Sequence, residues 1–186
     1  RLRYKARYTD YHPLVLACRH GLLSVVELLL SKGAEIDSKD EMGCSTLILA
    51  SGNGHIRIVE LLLSKGSNIH DIDFCNCTPI LWASKNGHIS IVELLLSKGA
   101  NIHDKDSSGQ TPIINALAGG HTDLAMLLLS KGAQIHDRDK NGRTPIITAS
   151  YFGKASTVDL LLSCGANIHG KNILLLLSSF ASMFVV

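Results

Sequence analysis

Apolar residues along this chain gather in a triplet of leucines that returns at a fixed interval. Leu28 to Leu30, Leu61 to Leu63, Leu94 to Leu96, Leu127 to Leu129 and Leu160 to Leu162 are each followed by a glycine, and these glycines, Gly33, Gly66, Gly99, Gly132 and Gly165, stand 33 residues apart. Five copies in one register do not arise by chance, and such a period marks a stacked-repeat architecture. In the third copy Ile89, Ile91 and Val92 lead into the leucines, so the pattern predicts a helix over 89–97. Lys98-Gly99 ends it, with a cation near the negative helix end and a glycine suited to the left-handed cap.

A shorter helix is predicted before each of these. It starts at Thr78-Pro79, Thr111-Pro112 and Thr144-Pro145, with Ser45-Thr46 and His12-Pro13 in the equivalent places. The threonine hydroxyl is expected to accept a first-turn N–H, and proline at the first helical position loses no hydrogen bond. About two turns later Asn86-Gly87 or Gly119-Gly120 stops the helix. The polar stretch over 101–110, with its Asp and Gly residues, suits a projecting β-turn.

One such unit cannot bury its leucines alone, so neighbouring copies must stack and share a core. The expected fold is all-α, an α-solenoid of helix-turn-helix repeats with projecting β-turn loops. Ala17, Ala50, Ala83, Ala116 and Ala149 recur with the same period and read as the small residues that let adjacent helices approach. The array is expected over 1–171, with repeats at approximately 7–39, 40–72, 73–105, 106–138 and 139–171, followed by a degenerate apolar segment over 172–186.

These residues resemble the ankyrin repeat family, whose mark is a 33-residue period with a T-P-L-H-x-A motif. The likeness is best over 106–116 and 139–149, and Gly54-His55, Gly87-His88 and Gly120-His121 precede the second helices. The resemblance implies an L-shaped repeat, a concave binding face and protein–protein recognition. The motif's histidine is replaced by Val15, Ile48, Leu81, Ile114 and Ile147, so apolar packing must take the place of its polar interaction. The turn glycine is Asn76 in the third copy, which can still reach left-handed φ. The first copy has Arg7 and Asp10 where the turn's acid and glycine belong, and an irregular first turn is expected there.

Composition narrows the function. With 46% apolar and 18% charged residues the chain is too apolar for a disordered polyelectrolyte. Its 18 basic and 16 acidic residues are scattered, without the basic patch a nucleic-acid binder gathers. Five cysteines form no even disulfide framework, which fits a reducing compartment and an intracellular, cytoplasmic location. The opening Arg1-Leu2-Arg3 has neither methionine nor a signal core, so the chain reads as a fragment whose true start is missing.

Candidate chemistry is sparse. The histidines at 70, 103, 136 and 169, and those at 55, 88 and 121, follow the repeat, which places equivalent atoms roughly 10 Å apart. Zinc needs its ligands at about 2.0–2.1 Å, so no metal is expected. Cys75 and Cys77 read as free surface thiols, and Cys18 as a small buried residue. No nucleophile, base and orienting group break the repeat together, and Gly119-Gly120 lacks the lysine of a phosphate loop. The expectation is a protein that is not an enzyme and has no cofactor or small-molecule substrate.

The leading reading is therefore a protein-binding scaffold; the alternative is a spacer or targeting arm of a larger protein with a catalytic or membrane domain elsewhere. Variation between copies falls at the turns and the first-helix ends. Lys39, Glu41, Met42, Phe74, Trp82, Lys85 and Lys105 are candidate partner-binding residues there, joined by Gln110, Arg138, Lys140, Arg143, Tyr151 and Phe152. Trp, Tyr and Arg dominate binding hot spots, and acidic partner groups are expected to meet Lys105, Arg138 and Arg143. The apolar Ile173 to Val186 is short of the roughly 20 residues of a membrane span. A degenerate capping helix, a truncated or shifted frame and the start of a span remain open for it.

Overall fold

A computed structural model describes residues 12–167. The expectations for the first turn, for His169 and for the segment over 172–186 lie outside these residues. Within them ten helices alternate short and long. The short ones are α1 (Pro13–Arg19), α3 (Thr46–Gly52), α5 (Pro79–Lys85), α7 (Pro112–Ala118) and α9 (Pro145–Tyr151). The longer ones are α2 (Leu23–Ser31), α4 (Ile56–Ser64), α6 (Ile89–Ser97), α8 (Thr122–Ser130) and α10 (Ala155–Ser163). Each short helix packs on the long helix that follows it and on the short helix of the next pair, which makes the all-α solenoid.

The reason lies in which positions are buried. Leu47, Ile80 and Ile113 from the short helices and Leu62, Leu95 and Leu128 from the long ones lie at no more than 1% exposure, in one continuous core. The five periodic alanines are buried between successive short helices. At the end of α6 the Lys98 N–H reaches the carbonyls of Leu94 to Leu96, and Gly99 turns the chain away at φ +95°.

One local expectation is corrected. The hydroxyl cap forms at Ser45 and Thr144, which accept the N–H of Ile48 and Ile147 at 3.5 Å. At Thr78 and Thr111 it does not: both hydroxyls are buried without a hydrogen-bond partner among the described residues. The proline that follows Thr78 and Thr111 fixes the first-turn backbone without the cap; Thr144, also followed by a proline, keeps its cap at 3.5 Å.

Two kinds of periodic bond cross the four seams between pairs, each at three of them. His55, His88 and His121 approach the carbonyls of Arg19, Gly52 and Lys85 with Nε2 at 3.0, 3.0 and 3.1 Å. A carbonyl only accepts, so Nε2 carries the proton. These are the last residues of α1, α3 and α5, whose carbonyls have no partner within their own helix. The repeating Gly-His is thus a structural staple. On the opposite edge the turn tips are joined through the backbone: the N–H groups of Phe74, Ser107 and Lys140 donate to the carbonyls of Met42, Cys75 and Ser108 at 3.1, 2.8 and 2.9 Å.

Candidate protein-binding groove

Each projecting loop is organised by one aspartate. Asp40, Asp73, Asp106 and Asp139 each donate their N–H to the carbonyl four residues on and accept, through their own carbonyl, the N–H three residues on. The second bond closes a β-turn that ends at Gly43, Asn76, Gly109 or Gly142, all at positive φ. Asn76 takes φ +56° in place of glycine, as its side chain allows. Each aspartate also accepts two N–H groups of its own loop through Oδ1, for example those of Ser108 and Gln110 at 2.8 and 2.9 Å.

Between the tips and the short helices of the middle pairs lies a cavity of about 680 Å³. Ile48, Leu49, Met42 and Trp82 give it apolar walls. Trp82 packs against Val15, Cys44, Ile48 and Leu49, a small cluster apart from the main core, and its Nε1–H donates to Asp73 Oδ2 at 2.8 Å. Lys85 Nζ sits 5.0 Å from the centre of the Trp82 ring, within cation–π range. Phe74 stands on the neighbouring tip at 77% exposure, its ring laid over Gly43, where a Cβ would come within 2.7 Å of it.

Of the candidate residues, Met42, Trp82, Lys85 and Gln110 line this cavity. Tyr151 and Phe152 stack edge to face at 5.1 Å and are exposed at the end of α9. Lys140 is exposed on its tip. Several basic candidates are already engaged within the chain. Lys39 pairs with Asp71 at 2.7 Å, Lys105 with Asp137 at 3.8 Å and Arg143 with Asp139 at 2.7 Å. Arg138 donates to the Gly142 carbonyl at 3.2 Å. Lys39, Lys105 and Arg143 thus face carboxylates of their own chain, whereas the Arg138 bond is to a neutral carbonyl.

Sequence reasoning missed Arg19, Asp40, Asp73 and Asp106, which also line the cavity. Arg19 bonds Asp40 Oδ2 at 2.6 Å. Its signal was positional, since it occupies in the first pair the place that Lys85 holds in the third. The thiols also need revising. Cys75 is exposed, as expected, but Cys77 is half-buried and Cys44 fully buried. Burial, then the nearby Asp73 and Asp106, pushes the Cys77 thiol up to about 12. Burial, then Asp40 and Asp73, does the same for Cys44. Cys18, buried as expected, is pushed up to about 12 by burial alone. Among the described residues no three His, Cys, Asp or Glu side chains converge as metal ligands would, and no helix is long and apolar enough to cross a membrane.

A family model for ankyrin repeats (3 copies) matches residues 14–106 and, again, residues 80–172. No curated protein matches the chain.

Proposed function

The chain belongs to the ankyrin repeat family, whose repeats are generally protein–protein interaction modules, and from that premise we propose that it binds a protein partner in the groove between its turn tips and short helices. The observation that carries this reading is the cavity walled by Met42, Leu49 and Trp82 beside the exposed Phe74. Large aromatic and thioether groups at the centre of a polar concave surface are the anchors that hot spots use. Lys85 and Gln110 belong to this centre, while Lys140, Arg138, Tyr151 and Phe152 extend the surface toward the C-terminal end. Lys39, Lys105 and Arg143 lie on it as paired charges that shape the rim. No catalytic step is assigned. Five free cysteines support a reducing, cytoplasmic setting.

The test replaces Met42, Phe74 and Tyr151, all exposed, by alanine in the whole protein. Unfolding and affinity capture are then compared with those of the unaltered protein. Loss of a specific captured polypeptide with an unchanged unfolding midpoint is expected. Retained capture would move the interface away from the groove, and absence of any specific capture would favour the spacer role.

A further inference from the structure

The four turn aspartates differ in one respect. Asp40 Oδ2 takes Arg19 Nη2 at 2.6 Å, Asp73 Oδ2 takes Trp82 Nε1 at 2.8 Å, and Asp139 Oδ2 takes Arg143 Nε at 2.7 Å. Asp106 uses Oδ1 as the others do, for Ser108 and Gln110. Its Oδ2 receives no donor from the described residues, although it lines the cavity.

The sequence explains the gap. The three donors come from three positions relative to their aspartate, and at Asp106 those positions hold other residues. The counterpart of Arg19 is Lys85, whose ammonium lies over Trp82 instead. The counterpart of Trp82 is Asn115, whose short amide does not reach. The counterpart of Arg143 is Gln110, which bonds Asp106 through its backbone N–H only. The cavity therefore has three carboxylates, Asp40, Asp73 and Asp106, against two cations, Arg19 and Lys85.

Resting on the groove as the binding surface, we propose that Asp106 receives an arginine side chain of the bound protein. The guanidinium donates to Oδ2, as Arg19 and Arg143 do for the equivalent oxygens, and balances the cavity's charge. Arginine suits the place better than lysine because its planar forked head matches a carboxylate, as Arg19 and Arg143 do on the equivalent aspartates of this chain.

Panning displayed short random peptides on the whole chain tests this. Enriched peptides should share an arginine, and a synthetic one should bind Asp106→Asn roughly ten-fold more weakly, the effect of losing one charge-assisted bond. The asparagine oxygen can still accept from Ser108 and Gln110, so the unfolding midpoint should hold. Gln110→Arg, which sets a guanidinium four residues after Asp106 as Arg143 stands after Asp139, should fill the acceptor from within and weaken the peptide as much. Replacing the peptide's arginine by norleucine should cost affinity on the native chain and little more on Asp106→Asn. No enrichment, enriched peptides without arginine, or affinity unchanged in both variants would overturn the proposal. If Met42→Ala and Phe74→Ala weaken the peptides but Asp106→Asn does not, the groove stands and the arginine assignment falls.

Discussion

His88, at the entrance to α6, donates its Nε2–H to the carbonyl of Gly52 at 3.0 Å, the last residue of α3 in the preceding pair. The bond satisfies a helix-end carbonyl and fixes two repeats against each other. His88→Ala should cost about 0.5–1.5 kcal/mol, the net worth of one hydrogen bond, because the Gly52 carbonyl keeps a second donor in Asn86 Nδ2 at 2.7 Å. Denaturant unfolding measures it, and a cost no larger than that of an exposed-site control such as His103→Ala would show that the staple does not hold the seam.

Gly99 and Gly43 both have positive φ, +95° and +77°, but for different surroundings. A Cβ on Gly99 would meet nothing within 4 Å, so Gly99→Val acts through backbone strain alone, about 1–3 kcal/mol. Gly43→Ala adds a collision with the Phe74 ring. Thermal unfolding should register both, and only Gly43→Ala should also move Phe74 and disturb partner binding. Unchanged unfolding of Gly99→Val would refute the cap.

Thr111 and Thr144 head equivalent helices, yet of the two only the Thr144 hydroxyl has a partner among the described residues, the Ile147 N–H. Thr111→Val removes a buried hydroxyl that bonds to nothing and should be neutral or stabilising. Thr144→Val should cost about 1 kcal/mol. Equal losses in a chemical unfolding series would mean that the Thr111 hydroxyl finds an acceptor after all.

The thiols should separate by reactivity. Cys18, Cys44 and Cys77, pushed up to about 12, remain protonated near pH 8 and should resist alkylation, whereas Cys75 and Cys164 are exposed. Mass spectrometry after brief iodoacetamide treatment should find label on those two, and rapid labelling of Cys44 would contradict its burial. The folded pKa lies above the ordinary value of 9.0 for each raised thiol. Their contribution to stability is thus complete below about pH 9 and is lost as pH climbs toward 12.

The helices and their ends were legible because they rest on repeated local chemistry: three leucines in five copies, Lys-Gly after them in four, and Thr-Pro ahead of the short helix in three. The absent cap at Thr111 was not, since whether a hydroxyl bonds depends on a few tenths of an ångström at the helix entrance. The groove was half legible. Phe74, Trp82 and Lys85 stood out as departures from the repeat, but the fates of Lys39 and Lys105 depend on Asp71 and Asp137, 32 residues onward. Residues one repeat apart become neighbours only once the stack is built. Asp106 looked like every other turn aspartate, and only the side chains around it set it apart.

The first three seams share one staple spacing, and that bears on how such a chain can change its length. The staple histidine always lies 36 residues after the carbonyl it reaches, and the tip-to-tip bond spans 32. Deleting 73–105 would set Asp106 after Ile72, bring His121 to the carbonyl of Gly52, and deliver the Ser107 N–H to Met42. A unit could be lost or copied without an ill-fitting joint, while the groove would lose Phe74, Trp82 and Lys85 at a stroke. The joints alone therefore do not fix the number of units, whereas a surface built on Phe74, Trp82 and Lys85 depends on the one unit that carries them.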